Sequence, residues 1–146
     1  MLIKKMQKEL GSSVIMITHD LGVVANMADR IVVMYAGKIV EAGTAEDIFY
    51  KSKHPYTVAL LNAVPKIADD EEIAELEAIP GTPPDLIAPP AGCGFAARCK
   101  HCMEICVHHD PEQICFTEEH HASCWLYHPE VKALLKRTPF RRNADE

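Results

Sequence analysis

The sequence contains no apolar stretch long enough to cross a bilayer as a helix; the longest runs, around Ile31–Ala36 and Val14–Ile17, are strand-sized. Any membrane contact is therefore expected to pass through another protein. The apolar core of a secretory signal is also missing, since the first ten residues read MLIKKMQKEL, and the expected compartment is the cytosol. Positive charge is scarce. Fifteen Lys and Arg against 21 Asp and Glu give a formal net charge of −6 with eight histidines neutral, which argues against nucleic acid as a partner. No G-x-x-x-x-G-K-[S/T] motif occurs, so the chain has neither the backbone N–H cradle nor the lysine that a nucleotide's phosphates need. No internal repeat is evident. What is present is the composition of a folded protein, 48% apolar and 25% charged, in 146 residues. That length suits one ordinary domain, or a partial domain with a small appendage.

Along the chain, Leu2, Ile3, Met6 and Leu10 recur at helical spacing with lysines opposite, and Gly11 breaks the pattern. Val14–Ile17 is an unbroken apolar run, the pattern of a strand covered on both faces in a parallel sheet. Asp20 is placed to cap a short helix reaching about Ala28. Arg30–Tyr35 and Lys38–Ala42 read as two strands joined by a tight turn at Ala36-Gly37, where glycine tolerates positive φ. Thr44 and Asp47, three apart before Ile48 and Phe49, form a capping-box pattern. Another helix is expected from Pro55, with Tyr56, Leu60 and Ala63 on one stripe, ending by Pro65. Asp69–Glu77 holds six acidic residues and reads as a solvated linker or exposed helix; Ile79–Pro90 is proline-rich and should be extended.

Thr18, His19 and Asp20 stand at the carboxyl end of the expected strand Val14–Ile17, where ligands of open α/β sheets collect. The segment SSVIMITHDLGVVANMADRIVVMYAGKIVEAGTAEDIF resembles, without gaps, the part of an ABC-transporter ATPase that follows the Walker B segment. The resemblance implies that His19 is the switch histidine, which contacts the γ-phosphate of ATP and helps position the attacking water. An imidazole suits that task, because phosphoryl transfer depends on positioning and charge stabilisation. The family's signature motif and Walker B carboxylates are absent, as is its phosphate loop. The expectation is therefore a truncated piece of such an ATPase that does not hydrolyse ATP alone.

Six cysteines lie in 32 residues with the spacing Cys93-x5-Cys99-x2-Cys102-x3-Cys106-x8-Cys115-x8-Cys124. In a reducing compartment this density points to metal binding or catalysis before a disulfide framework. Three readings compete on spacing alone: ordinary structural thiols, a zinc knuckle using Cys99 and Cys102 with nearby histidines, and a cysteine-ligated iron-sulfur cluster. His101, His108, His109, His120, His121 and His128 read as surface residues.

The runs HPYTVALL (54–61), IPGTPPDL (79–86) and GCGFAARCKHCMEIC, with the distal Cys124, are similar to the C-terminal extension of oligopeptide/dipeptide importer ATPases, the peptide/nickel importer group. In that family the pattern C-x5-C-x6-C plus a distal cysteine can hold a [4Fe-4S] cluster. The resemblance implies Cys93, Cys99, Cys106 and Cys124 as ligands, with Cys102 and Cys115 as alternates and zinc as the alternative metal. A small proline-rich extension buries little apolar area, so such a group would act as an internal staple.

The expected fold class is thus α/β: a partial P-loop ATPase sheet over residues 1–64, a linker over 65–90, and a cysteine-rich extension with little regular structure over 91–146. The resemblance further implies ATP and Mg²⁺ in the parent subunit, a second ATPase subunit, two membrane permease subunits and, indirectly, a peptide-binding protein. Its setting would be the cytoplasmic face of a bacterial or archaeal membrane. A free-standing iron-sulfur or zinc module with a regulatory or electron-transfer role is the alternative, although no second cluster motif or flavin fingerprint supports electron transfer. With half a sheet missing its neighbours, exposed apolar surface and self-association are expected.

Overall fold

The structure is a computed structural model, and it describes residues 2–64 and 78–137. The acidic run Asp69–Glu77 lies outside the described residues. Helix α1 (Leu2–Leu10) opens the chain and α2 (Leu21–Met27) follows it. Asp20 caps α2 as its sequence position predicts, its Oδ1 accepting from the N–H groups of Gly22 at 2.8 Å and Val23 at 3.1 Å.

Between them the expected strand is missing. Val14–Ile17 is exposed chain without a β-partner, with Ile15 at 94% and Ile17 at 98% exposure. The apolar run alone does not make a strand, because a buried parallel strand needs a hydrogen-bonding neighbour on its flanks. Among the described residues no parallel pairing occurs at all.

Strands β1 (Arg30–Tyr35) and β2 (Lys38–Thr44) form the predicted antiparallel hairpin. Ala36 at φ 49° and Gly37 at φ 76° make its turn, both in the left-handed region that a two-residue hairpin loop requires. The Thr44–Asp47 capping box is present and opens α3 (Ala45–Lys51): the Asp47 N–H donates to Thr44 Oγ1 at 3.1 Å and the Thr44 N–H donates back to Asp47 at 3.3 Å. Helix α4 (Pro55–Asn62) starts at Pro55, and His54 rather than a hydroxyl residue caps it, with Nδ1 accepting from the Tyr56 N–H. Its buried residue is Thr57; Tyr56, Leu60 and Ala63 are only half-buried.

Residues 78–95 carry no helix or strand, as the prolines predict. Beyond them come a 3-10 turn at Ala96–Arg98, α5 (Glu104–His108), β3 (Gln113–Cys115), β4 (His121–Ser123), a second 3-10 turn at Trp125–Tyr127 and α6 (Pro129–Arg137). The sheet order is β1-β2-β4-β3, every pairing antiparallel. Glu41 opposite Ala122 and Ala42 opposite His121 join the hairpin to the cysteine-rich part in one sheet. The described architecture is therefore a mixture of short helices with a four-stranded antiparallel sheet, where a parallel sheet was expected.

A core of Val33, Tyr35, Val40, Ile48 and Phe95 seals that junction. Tyr35 and Phe95 meet edge to face at 5.3 Å between centroids, and Tyr56 packs on both, at 4.5 Å from Tyr35 and 5.4 Å from Phe95. Aromatic pairs at such distances add about 0.5–1.5 kcal/mol each beyond their area burial. Phe95 sits between two cysteines in sequence, so the aromatic cluster also anchors the thiol loop.

Candidate functional site

The site begins with an irregularity in β2. Val33 pairs with Glu41 while Met34 pairs with Ile39, which leaves Val40 as an extra residue on the β2 side. Such a bulge disturbs the strict alternation of side chains between faces. Val40 and the adjacent Glu41 are consequently both buried, Glu41 completely so.

A buried carboxylate needs compensation, and Glu41 receives it from three directions. Its Oε1 accepts from the Lys53 N–H at 2.6 Å, its Oε2 from the His54 N–H at 2.9 Å, and His120 Nε2 lies 2.8 Å from Oε1. An ionised carboxylate only accepts, so the His120 proton sits on Nε2 and points at Glu41. His120 is 2% exposed, which corrects the expectation that it is a surface residue. Its Nδ1 lies 3.8 Å from Asp47. Asp47 is held below the usual carboxylate range chiefly by the Thr44 hydroxyl, with His120 a smaller contributor. The carboxylate thereby ties together β2, the start of α4 and the turn between β3 and β4.

His54 carries the arrangement onward. Burial pushes its pKa down to about 4, so the ring is neutral near pH 7. Because Nδ1 accepts from the Tyr56 N–H at 3.1 Å, the single ring proton belongs on Nε2. The ring lies 6.0 Å from that of Phe95 and lines a small cavity together with Cys93, Cys99, Cys106 and Cys124. Those are the four thiols picked out by the family pattern.

The loop around them is held by its backbone. The Cys93 N–H donates to Cys106 O at 2.8 Å, the Cys99 N–H to Ala96 O at 3.2 Å, and the His101 N–H to Cys99 Sγ at 3.4 Å. Gly92 permits the closure: a Cβ there would collide with the carbonyl oxygen of Cys106 and stand 2.6 Å from that of Val107. Trp125 closes the far side by donating its indole N–H to His109 O at 2.8 Å. Burial pushes the Cys93 thiol up, Cys99 up to about 11 and Cys124 up to about 12, with the other three thiols of the cavity adding to the rise at Cys124. Of the alternates, Cys102 is hydrogen-bonded through its side chain to Cys106. Cys102 and Cys115 are both exposed and do not line this cavity; Cys115 Sγ instead lies 3.2 Å from His121 Nδ1 across the β3–β4 pair.

Among the described residues, no group of three or more His, Cys, Asp or Glu side chains converges closely enough to hold a single metal ion. Zinc, with its four ligands on one centre, has no ready site among them. A cubane presents a separate iron to each thiolate, so its ligands stand around a larger body and need not converge on one point. The cavity lined by Cys93, Cys99, Cys106 and Cys124 measures about 20 Å³.

His19 lies elsewhere. It is exposed in the segment before α2, between Thr18, whose hydroxyl accepts from the Asp20 N–H at 3.0 Å, and the capping Asp20. Neither cavity described in this structure is lined by it.

Residues 40–106 match the family model of the oligopeptide/dipeptide transporter C-terminal region. The chain is 54% identical over 125 residues to the dipeptide transport ATP-binding protein DppD of Bacillus subtilis, an alignment covering 86% of this chain and 37% of that protein. It is 50% identical over 130 residues to the oligopeptide transport ATP-binding protein OppD of the same organism, covering 89% of this chain and 36% of the relative. With the OppD of Salmonella typhimurium it shares 52% identity over 105 residues, 72% of this chain and 31% of the relative. The chain thus spans about a third of the length of the curated relatives it matches. With the transporter region spanning the junction between hairpin and thiol loop, the chain belongs to the family of oligopeptide and dipeptide transport ATP-binding proteins.

Proposed function

We propose that this chain serves in the ATP-binding subunit of an ABC importer, coupling ATP hydrolysis to uptake of oligopeptides or dipeptides at the cytoplasmic face of a membrane. The single observation that carries this is 54% identity to a dipeptide transport ATP-binding protein across 86% of the chain. No helix among the described residues is long and apolar enough to span a bilayer, in keeping with transport through separate permease subunits. The partners under this proposal are a second ATPase subunit, two permeases and, indirectly, a peptide-binding protein. ATP and Mg²⁺ are the cofactors of the whole subunit. Lacking a phosphate loop in its sequence, the chain alone is not expected to hydrolyse ATP.

His19 acts here as the switch histidine, donating to or orienting groups at the γ-phosphate once the remaining motifs are supplied. The division into an ATPase part over 1–64, a linker over 65–90 and an extension over 91–146 belongs to the same proposal. The pairing of β2 with β4 favours it over a free-standing metal module, since the extension shares its sheet with the ATPase part. Within the extension, Cys93, Cys99, Cys106 and Cys124 would hold a [4Fe-4S] cluster. It would supply four iron–thiolate bonds as a structural staple; the chain's own residues shield the thiols and fix their loop.

The test is a graft. Replacing the matching segment of Bacillus subtilis DppD with this chain should preserve dipeptide uptake, and His19→Ala in the graft should lower ATP turnover about a hundredfold or more, the scale of lost transition-state positioning. A graft that assembles with its permeases yet turns over ATP equally with either residue would overturn the role given to His19; loss of uptake in an assembled graft would overturn the function. Iron and acid-labile sulfide analysis after anaerobic purification tests the cluster separately, and a folded, metal-free, colourless protein would sink it.

A further inference from the structure

Two of the six thiols, Cys102 and Cys115, are exposed, and they differ in what they face. Cys102 donates its proton to the carbonyl of Met103 at 3.6 Å and has the Cys106 side chain as a further hydrogen-bond neighbour. A bond from S–H to a carbonyl favours the neutral thiol. Cys115 faces a base instead, its Sγ lying 3.2 Å from His121 Nδ1. In the tautomer with the ring proton on Nε2, Nδ1 is an acceptor aimed at the thiol.

The backbone holds this pair together. Cys115 and His121 stand directly opposite each other in the β3–β4 pairing, and the Phe116 N–H donates to His120 O at 2.8 Å one residue further on. Thr117 Oγ1 accepts from the His120 N–H at 3.0 Å and fixes the turn. Next to His121, the His120 ring is buried on Glu41, which anchors that end of β4. Thiol and imidazole therefore meet through strand register and not through side-chain rotation alone. Among the described residues β3 is the last strand of the sheet, so Cys115 lies at an edge reached from solvent. Neither cavity described in this structure is lined by it. The place offers a nucleophile, a base and open access, with no pocket to select a large substrate.

We propose that Cys115, with His121 as its base, is a reversible thiolation site for small soluble disulfides. Cys115 Sγ attacks one sulfur of the disulfide RS–SR while its proton passes to His121 Nδ1. A bond forms between Cys115 Sγ and that sulfur, the RS–SR bond breaks, and the other half leaves as a thiolate that takes the proton from the imidazolium. Cys115 ends as a mixed disulfide and one RSH is released, the two electrons lost by the protein thiol being those that reduce the small disulfide. Excess RSH runs the exchange backwards. The site stands independently of the transporter function.

The experiment exposes the full chain to 2-hydroxyethyl disulfide, a neutral probe, near pH 7, stops the reaction with acid and follows each cysteine by peptide mass mapping. Cys115 should take up the mixed disulfide on the order of tenfold faster than Cys102, the comparison being between two exposed thiols of which one has a base. Mercaptoethanol in excess should remove it. His121→Asn and His121→Gln should bring the Cys115 rate down to that of Cys102 in whichever of the two retains the wild-type circular dichroism. Equal rates at Cys102 and Cys115, an undiminished Cys115 rate in a folded His121 variant, or no adduct at Cys115 would each overturn the proposal. The comparison of the two cysteines in the wild-type protein decides the matter even where a variant does not fold.

Discussion

Glu41 joins distant parts of this molecule, since its one carboxylate compensates the adjacent backbone N–H groups of Lys53 and His54 and the imidazole of His120. Removing one partner of this buried hydrogen-bonded pair leaves the other's polar atoms unsatisfied, at about 1–3 kcal/mol. Glu41→Ala and His120→Ala are each expected to lower stability by about that amount in urea unfolding, and the double variant by much less than the sum. His54 offers a pH test. Its pKa is about 4 in the folded protein against an ordinary value of 6.5, so between these two the unfolded chain binds the extra proton. Stability from this group is therefore complete above pH 6.5 and is lost as pH falls toward 4, by up to about 3 kcal/mol. His54→Asn, which retains an N-cap acceptor, should flatten the urea-stability profile over that window.

Thiol chemistry separates the cysteines at the same scale. In reduced, metal-free protein near pH 8, Cys99 and Cys124, with pKa values of about 11 and 12, are protonated and shielded, whereas Cys115 is exposed beside an imidazole. Iodoacetamide should label Cys115 first, as read by peptide mass mapping. Equal labelling of all six thiols in the folded protein would show that the cavity does not shield them.

Among the elements, those with local signals were legible in the sequence. Asp20 before α2, the Thr44–Asp47 box before α3, Pro55 at the start of α4 and Ala36-Gly37 in the hairpin each act within four residues, so spacing alone exposes them. Thr44→Ala should cost about 1 kcal/mol by loss of the cap. The thiol loop depends on contacts between more distant residues. Gly92→Ala should break the Cys93–Cys106 backbone bond and disorganise the four-thiol cavity, measurable as faster alkylation of Cys106 and Cys124. Strand β3 and strand β4, three residues each, carried no readable pattern, because a strand that short shows no alternation to detect and exists by its pairing, β4 with β2 and β3 with β4.

Among the described residues of the whole molecule, several large apolar side chains are exposed. Ile15 and Ile17 are almost fully exposed, and Val32 and Met34 on β1, the edge strand, are more than half exposed. Exposed apolar side chains and an unpaired strand edge each favour association. Sedimentation velocity across a hundredfold range of concentration should show mass-dependent association, and a monomer throughout would contradict it.

The sequence by itself determined whatever rests on neighbours in the chain: the caps of α2 and α3, the hairpin turn and the proline-rich stretch without helix or strand, while the choice of four cysteines out of six came from the family resemblance and not from their spacing. Only the tertiary structure decided that those four share one cavity while Cys102 and Cys115 do not, that a bulge at Val40 turns Glu41 inward, and that Val14–Ile17 forms no strand. The reason is sequence separation. Glu41 and His120 are 79 residues apart, and a buried charge or a strand acquires its partner only when the chain closes that distance.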